Sequence, residues 1–363
     1  MPRLDVAQSS ARTAIIDGRE LLVFGGCGYL GLNHEPRVHN AITAGLCRYG
    51  SSSSASRETT GNTRAHTDLE STLTDFFGTE SAVLVPDGYL ANVAALQALS
   101  RTHDAIVLDE RSHASLHDAA QAAGLKRHTY RHADATDAGR IAASTGDRVV
   151  LATDGVFAAT GTVAPVADIA AALPRNSTLL VDDCHGVGVL AGGRGSVEHA
   201  GLRSDPRIVI TTSLAKGVGV AGGAVAASRE VCAAVQQSNA YVCTTPIGPA
   251  MAMGTREALR IIADEPGRVD RLSLASRLLV ETVSSAAGAR VGHAGTPILA
   301  WVPGGGSTQI QHMCMTALDA GVLLPHVAYP GGPAESYLRL AVTCEHTEDD
   351  FARLAAVLSK GLA

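Results

Sequence analysis

Short apolar segments alternate with helical patterns along most of the chain. The apolar segments lie at 82–85, 105–108, 149–152, 178–181 and 208–211, and helical patterns lie at about 88–99, 114–123 and 166–173. Runs of this length, bounded by loops and separated by helices, predict the buried strands of parallel βαβ units. We therefore expect an α/β fold whose mostly parallel sheet carries helices on both faces.

The two ends of the chain differ from this central pattern. Residues 1–35 predict an N-terminal arm, with a short hairpin at 13–19 and a strand at 21–24. A helix predicted at about 247–264 leads into a smaller C-terminal α/β unit. The expected domains are the arm at 1–35, a large domain at 36–258 and a small C-terminal domain at 259–363.

Composition argues against several classes of function. A formal net charge of −6 argues against a nucleic-acid partner, because phosphate binding needs a basic face. The seven cysteines show neither a CxxC pair nor any metal-ligand spacing, so we expect reduced thiols in the cytoplasm and no metal site. Residues 1–6 contain no apolar signal segment, and no run of about 18 uncharged apolar residues follows, which argues against a membrane protein.

One lysine is unusual because arginine supplies nearly all the positive charge. Only three lysines occur, and Lys216 follows the apolar run at 208–211 and enters a glycine-rich turn. The other two, Lys126 and Lys360, are expected at the surface. An amine can form a Schiff base with a carbonyl cofactor, whereas a guanidinium cannot. Lys216 is therefore either an ordinary loop lysine or a residue that binds such a cofactor.

The apolar run at 178–181 ends in acids and a histidine, which include Asp182 and His185. A buried carboxylate that keeps a pyridine nitrogen protonated, followed by a Schiff-base lysine, is the minimal pattern of enzymes that use pyridoxal 5'-phosphate (PLP). Asp182 would form that pair, and His185 would reach the phenolic oxygen of the ring. Without the lysine, Asp182 would be explained equally well as a capping acid after a buried strand.

Further positions fit the same cofactor. Gly88 and Tyr89 begin a helix directly after a strand, where free amides form an anion site suited to a phosphate. Ser213 closely precedes Lys216 and could donate a hydrogen bond to that phosphate, and His113 follows another strand and could stack on a flat ring. Each has a simpler explanation, since such a glycine often serves backbone geometry alone and a lone histidine often packs or caps.

Short motifs occur in a characteristic order from about residue 22 to the C-terminus. They are Tyr-Leu-Gly-Leu at 29–32, Gly61 with His-Thr-Asp-Leu-Glu at 66–70, Asp-Gly-Tyr at 87–89, Ser-His-Ala-Ser at 112–115, Thr-Asp-Gly-Val-Phe at 153–157 with Gly161, Val-Asp-Asp-Cys-His-Gly at 181–186, Lys-Gly at 216–217, Thr-Thr at 244–245 and Leu-Arg-Leu at 338–340. This series resembles the α-oxoamine synthases. The resemblance implies a fold-type-I PLP-dependent transferase with PLP as its cofactor.

The resemblance also implies roles for the matching residues. Lys216 would bind PLP, and its freed amine would move the proton at the substrate Cα. Asp182 would pair with the ring nitrogen, His185 with the phenolic oxygen, and His113 would stack on the ring. The phosphate contacts would be Gly88, Tyr89 and Ser213.

Two more matches extend the implied site. Thr245 would reach the phosphate of the neighbouring subunit, which implies a homodimer with shared active sites. Arg339 would bind the carboxylate of the amino acid, a task that a planar guanidinium suits. The implied reaction is the decarboxylative condensation of an α-amino acid with an acyl thioester, carried by coenzyme A or an acyl carrier protein, to give an α-amino ketone.

The chain departs from the family at the carboxylate site. Cys27 stands where the family usually has an asparagine, and Ala158 stands where it has a serine, in Val-Phe-Ala-Ala-Thr-Gly instead of Val-Phe-Ser-Met-Asp-Gly. The usual residues contact the carboxylate, and neither replacement is a comparable donor. A serine-rich run at 51–57 also replaces a glycine-rich loop near the acyl channel. These changes predict an unusual donor, with an amino acid larger than glycine.

Two other functions stay open from the sequence. One is a different PLP reaction on the same scaffold, such as that of an aldol-type lyase, an aminotransferase or an epimerase, none of which needs a thioester. The other is a PLP-binding protein without turnover, against which the intact set of Lys216, Asp182, His113 and His185 argues. The sequence does not identify the amino acid, the acyl chain or its carrier.

Overall fold

The computed structural model describes residues 4–292 and 295–362. The polar start at residues 1–3, on which the prediction of no signal segment partly depends, lies outside the described residues, as does residue 363. Within the described ranges, no helix is long and apolar enough to cross a membrane.

Strands and helices alternate through most of the described chain. The strands are β1 (Val6–Ser9), β2 (Thr13–Ile16), β3 (Arg19–Val23), β4 (Ser81–Val85), β5 (Ala105–Asp109), β6 (Lys126–Tyr130), β7 (Val149–Asp154), β8 (Thr178–Asp182), β9 (Ile208–Ser213), β10 (Gly223–Ala227), β11 (Ile298–Trp301), β12 (Val322–Leu323), β13 (His326–Val327) and β14 (Tyr337–Ala341). The helices are α1 (Pro36–Tyr49), α2 (Arg64–Phe77), α3 (Gly88–Leu99), α4 (Ala114–Ala122), α5 (Ala135–Thr145), α6 (Val166–Ala171), α7 (Ser196–His199), α8 (Arg229–Gln236), α9 (Asn239–Val242), α10 (Pro249–Asp264), α11 (Gly267–Ala287), α12 (Gly306–Asp319) and α13 (Glu348–Leu362).

A sheet in the order β4-β10-β9-β8-β7-β5-β6 forms the centre of the molecule. The strands from β9 to β6 run parallel, whereas β10 is antiparallel to both β4 and β9. Successive side chains of a strand point to opposite faces, so Leu179 and Val181 of β8 pack in one apolar core and Leu180 packs in the other. The predicted mostly parallel sheet with helices on both faces is confirmed.

The hydrophobic pattern identifies most of this sheet but predicts neither β6 nor β10. β6 is an edge strand, and its polar side chains, such as Lys126 and Arg127, are exposed. β10 is built largely of alanine and directly follows the glycine-rich turn after Lys216, so its sequence reads as a continuation of that loop. The turn therefore connects two antiparallel neighbours, β9 and β10, and makes the sheet mixed.

The chain ends pack together. The hairpin predicted near residue 13 is confirmed as β2 paired with β3. β12, from the C-terminal unit, pairs in parallel with β3 and places Val322 opposite Leu22. Leu22 and Phe24 share a core with Leu340 of the antiparallel sheet β11-β14-β13. The domain boundaries predicted after residues 35 and 258 stay predictions.

The carboxyl ends of the parallel strands meet at one edge of the central sheet. β5, β7, β8 and β9 are neighbours there, and each ends in a polar residue: Asp109, Asp154, Asp182 and Ser213 respectively. In open α/β sheets this edge carries the ligand site. The loops that follow these strands are therefore where a ligand site is expected.

Candidate active site

The four residues predicted to be catalytic converge at this edge. Asp182 ends β8, His185 lies in the loop that follows, His113 immediately precedes α4, and Lys216 lies between β9 and β10. They are close enough to influence one another electrostatically. The charges of Asp182 and Lys216 affect the pKa of His113, and those of Lys216 and His113 affect the pKa of His185. The structure brings all four together.

Asp182 is fixed by hydrogen bonds to both of its carboxylate oxygens. The Cys184 backbone N–H donates to Oδ1 at 3.1 Å, and the Asn92 side-chain amide donates to Oδ2 at 2.7 Å. Asp182 and Asn92 are both buried. Hydrogen bonds to an ionised carboxylate stabilise the charged form, so this arrangement suits a carboxylate that must face a cation.

Asn92 is the centre of a buried hydrogen-bond network that sequence reasoning missed. Its side-chain oxygen accepts a hydrogen bond from the Thr211 hydroxyl at 2.6 Å, and its amide also donates to the Ser115 hydroxyl at 2.8 Å. The Ser115 hydroxyl lies 2.7 Å from His113 Nδ1. Asp182 and His113 are thus held by one network. The available signal was an asparagine inside the apolar pattern at 88–99, because buried polar groups need partners.

His113 is held at both its backbone and its ring. Its backbone N–H donates to Asp154 Oδ2 at 3.0 Å, and its Nδ1 accepts from the Ser115 backbone N–H at 3.2 Å, which caps α4. Burial lowers the pKa of the His113 imidazole. The ring of Tyr329 lies with its centroid 6.3 Å from that of His113. His113 therefore caps α4, as a lone histidine often does. The same contacts also fix the orientation of its neutral imidazole ring.

Lys216 lies in a tight turn whose backbone requires glycine. Gly219 and Gly222 have φ values of 79° and 143°, which side chains strongly disfavour. Burial alone would lower the pKa of the Lys216 ammonium, but the neighbouring groups, including Cys184 and Asp182, raise it on balance. The amine of the half-buried Lys216 therefore lies within electrostatic reach of the Asp182 carboxylate. Lys126 and Lys360 are exposed, as predicted.

The start of α3 lies directly against the end of β9. A Cβ added at Gly88 would lie 2.7 Å from the Ser213 Cβ, so a larger residue would close the space between them. Tyr89 follows Gly88, but its ring is 44% exposed and its hydroxyl donates to Asp118. Only the backbone amide of Tyr89 is therefore placed to face an anion at this helix end.

The three residues predicted to contact substrate also lie together. Arg339 Nε donates to the Ala158 carbonyl at 2.7 Å, and the Arg339 side chain lies beside Tyr29 and Cys27. The Tyr29 hydroxyl in turn lies 2.7 Å from His185 Nδ1. Tyr29 is fully buried. The sequence predicts no role for it beyond its place in the motif at 29–32. It connects the carboxylate site to His185.

Thr245 lies apart from this group in a single subunit. It follows α9 and is exposed. The preceding Thr244 hydroxyl donates to the Ala240 carbonyl at 2.7 Å, which ends the helix. The role predicted for Thr245 depends on a second subunit and stays a prediction.

A small cavity opens beside His113. Its volume is about 150 Å³, and its walls include Ala158, Ala159 and Tyr329. A larger cavity of about 350 Å³ lies between α2 and α10, but it touches none of the predicted site residues, and its Arg256 and Arg260 are paired with carboxylates. The cavity beside His113 is therefore the one connected with the site.

The chemistry of these side chains fits PLP. The close approach of Gly88 to Ser213 at a helix N-terminus provides a cradle that a side chain would fill, and it suits a phosphate. The enclosed amine of Lys216 suits an aldehyde, and the carboxylate of Asp182, held by two donors, suits a pyridinium. Orientation of His113 by Ser115 suits stacking on a planar ring.

Comparison with known proteins supports this interpretation. The sequence model of the family described as aminotransferase class I and II matches residues 20–358. The 8-amino-7-oxononanoate synthase of Thioalkalivibrio sulfidiphilus is 37% identical over 356 residues, which are 96% of this chain and 90% of that protein. The enzyme of the same name from Hahella chejuensis is 35% identical, over 99% of this chain and 91% of that protein.

Solved structures show the same fold. A serine palmitoyltransferase from S. paucimobilis superposes with a TM-score of 0.91 at 24% identity, over 99% of this chain and 92% of that chain. An 8-amino-7-oxononanoate synthase from Francisella tularensis gives a TM-score of 0.79 at 22% identity, over 94% of this chain and 97% of that chain. These likenesses confirm the predicted fold-type-I architecture.

A mixed α/β sheet that brings a lysine near a strand-end aspartate at its carboxyl edge is the arrangement of a PLP-dependent transferase. The chain belongs to the aminotransferase class I and II family and, within it, to the α-oxoamine synthases. It is thus a PLP-dependent acyltransferase that joins an α-amino acid to an acyl thioester with loss of carbon dioxide. The predicted family, cofactor and reaction are confirmed.

Proposed function

We propose that this enzyme condenses a small neutral α-amino acid, alanine in the first instance, with an acyl thioester at the site built around Lys216. The observation that carries this proposal is the convergence of Lys216, Asp182, His113 and Arg339 at one edge of the sheet. Each of them lies within one connected set of hydrogen bonds and charges. The same set accounts for cofactor binding, substrate binding and proton transfer.

The cofactor contacts follow from the geometry. Lys216 Nζ would bind PLP covalently, and the backbone amides at Gly88 and Tyr89, with Ser213, would hold its phosphate. Asp182 would pair with the pyridine nitrogen, and the hydrogen bonds from Asn92 and the Cys184 backbone keep its carboxylate oriented. When bound, PLP supplies an electron sink for the bonds at the substrate Cα.

The substrate contacts use the remaining groups. Arg339 binds the carboxylate through the guanidinium nitrogens that are not engaged by the Ala158 carbonyl. The amine of Lys216, once free, would accept the proton from the substrate Cα. His113 would stack on one face of the ring and exclude water from it.

The names of the relatives point to the amino acid. In 8-amino-7-oxononanoate, the carbon that bears the amino group also bears a methyl group, so its amino-acid part corresponds to alanine after loss of carbon dioxide. The remainder corresponds to an acyl donor that itself ends in a carboxylate. Cys27 and Ala158 are compatible with a methyl group at Cα, because both are small. We therefore propose a donor larger than glycine.

We also propose a homodimer with shared active sites, in which Thr245 reaches the phosphate bound by the neighbouring subunit. The exposure of Thr245 in a single subunit supports this role. A reducing, cytoplasmic compartment is supported by the free state of all seven cysteines. Activity of a cofactor-bound monomer, separated by size-exclusion chromatography, would contradict the shared site.

The deciding experiment measures two products. The purified enzyme with alanine and a series of acyl-coenzyme A and acyl-carrier-protein thioesters should release free thiol and carbon dioxide in equal amounts. Glycine and bulkier amino acids serve as comparison donors. Turnover of the amino acid without any thioester would show that the enzyme catalyses another PLP reaction instead of the condensation.

The identity of the PLP lysine has a direct test. Borohydride reduction followed by peptide mapping should place the cofactor on Lys216. Lys216→Ala should lose both the covalent label and the turnover, while the matched control Lys126→Ala, at an exposed lysine, should retain both. A label on Lys126 or Lys360 would remove the assignment.

A further inference from the structure

The cavity beside His113 is small and largely apolar. It has a volume of about 150 Å³, and its walls include Ala114, Ala158, Ala159, Pro330 and Tyr329. Ala158 and Ala159 are both buried, and they lie in the segment where the chain departs from its family motif. Two consecutive side chains no larger than a methyl group therefore leave the space open.

This cavity adjoins the place where the substrate reacts. Ala158 forms part of its wall and accepts a hydrogen bond from Arg339 Nε at 2.7 Å. His113, which covers the ring, forms another part of the wall. A substituent that is attached to the reacting carbon and points toward these residues would enter the cavity directly.

The interior of the cavity favours hydrocarbon. The one carboxyl group in its wall, that of Asp154, is buried and accepts a hydrogen bond from the His113 backbone. Burial raises the pKa of Asp154 well above its ordinary value, and the nearby Asp182 adds to this effect, so the charged form of this wall group is disfavoured. Arg111, Ser112 and His113 also line the cavity, but three alanines, a proline and the Tyr329 ring make the larger part of its wall apolar.

We infer that this cavity binds a short unbranched alkyl chain of a substrate, and that Ala159 sets the length that fits. The inference rests on the proposed function only in taking the chain from one of the two condensing substrates. An engineered apolar cavity of about 150 Å³ holds one molecule of benzene, so the chain has up to about six carbon atoms.

Two substrates can supply such a chain, and the first experiment separates them. Thiol release is measured with one fixed amino acid and a series of linear acyl thioesters, and then with one fixed thioester and a series of linear α-amino acids. In the series whose chain enters the cavity, kcat/KM should rise about fourfold per methylene until the cavity is full, then fall. If neither series shows a maximum, the proposal is overturned.

A variant then assigns the effect to Ala159. Methionine fills irregular gaps, so Ala159→Met should occupy the cavity. It should remove the rise with chain length while leaving the shortest substrates nearly unaffected. The matched control Ala122→Met places the same side chain on the exposed far end of α4. If Ala159→Met fails to fold, Ala114→Met narrows the same cavity from another residue of its wall.

A binding measurement distinguishes failure of this proposal from failure of the proposed function. Isothermal titration calorimetry of the PLP-loaded enzyme with linear carboxylates, from acetate to octanoate, needs no turnover. Affinity should rise with length in the wild type and in Ala122→Met, and should be flat in Ala159→Met. Retained length dependence in Ala159→Met overturns the proposal, whereas absent thiol release with intact length dependence overturns only the condensation.

Discussion

The Tyr29 hydroxyl lies 2.7 Å from Nδ1 of His185, in a part of the site where both rings are buried. Burial raises the pKa of Tyr29 well above its ordinary value and lowers that of His185 well below. Tyr29 therefore keeps its proton and His185 stays neutral, so the Tyr29 hydroxyl can donate a hydrogen bond to Nδ1. In that arrangement the proton of His185 sits on Nε2, the nitrogen that would face the cofactor.

Tyr29→Phe removes this hydrogen bond but keeps the ring that fills the buried space. We expect kcat/KM to fall by roughly 5- to 150-fold, which corresponds to the cost of about 1–3 kcal/mol for leaving a buried polar group unpaired. The absorption spectrum of the bound cofactor should also change. Tyr49→Phe, at a tyrosine outside the site, is the matched control. An unchanged spectrum and unchanged kinetics would remove Tyr29 from the site.

Asn92→Ala should weaken cofactor binding without unfolding the protein. The substitution leaves Oδ2 of Asp182 and the Thr211 hydroxyl without their partner, and it disconnects Ser115. A loss of about 1–3 kcal/mol predicts a Kd for PLP that is roughly 5- to 150-fold higher, measurable by dialysis and fluorescence. Asn40→Ala, at an exposed asparagine, should have no effect. Equal Kd values for all three proteins would contradict an orienting role.

Asp183→Asn should make stability less sensitive to pH between about 4 and about 7. Burial raises the pKa of Asp183 to about 7, its Oδ1 has no hydrogen-bond partner within the described residues, and Oδ2 accepts from the Ser196 backbone at 2.8 Å. The folded state therefore favours the protonated acid. Its stabilising effect is complete below the unfolded pKa of about 3.9 and is lost as pH rises through 7, by about 4 kcal/mol in total.

Denaturant unfolding at pH 5 and pH 8 tests this expectation. The free energy of unfolding of Asp183→Asn should increase relative to that of the wild type as pH rises, because an amide keeps an acceptor for Ser196 without a charge. Asp319→Asn, at an exposed carboxyl group, serves as control and should show no such gain. A constant difference between Asp183→Asn and wild type over this range would show that Asp183 is not buried as an acid.

The double variant Cys27→Asn with Ala158→Ser tests the altered carboxylate site. Both positions lie next to Arg339, so the new side chains can reach the carboxylate that it binds. Each restored hydrogen bond to a charged group is worth about 1.5–3 kcal/mol, so glycine should bind at least roughly tenfold more tightly. Larger amino acids should bind less well. No gain with glycine would show that other residues determine the choice of donor.

Much of the site could be predicted because its residues belong to uninterrupted local segments. Lys216 and Asp182 each follow a strongly apolar strand, and the topology of parallel sheets places such residues at one edge. The positions of α3 and α10 likewise followed from helical periodicity. These features depend on short-range patterns that a single sequence contains.

The remaining features depend on contacts between distant segments. Asn92 lies in a helix, and nothing in its immediate neighbours shows that its side chain reaches Asp182 and Thr211. The cavity beside His113 requires Tyr329 from the C-terminal unit, and the strand β10 was missed because alanine gives a weak hydrophobic signal. Tyr29 was part of a recognised motif, but its partner is 156 positions further along the chain.

The parallel pairing of β12 with β3 has a consequence for synthesis of the protein in the cell. Leu22 emerges early from the ribosome, but its strand partner Val322 is made about 300 residues later. At about 5–20 residues per second, the first strands wait roughly 15–60 s for that partner. Arg339 is made later still. The N-terminal strands are therefore exposed during translation, and the nascent chain needs protection from aggregation until its last segment is released.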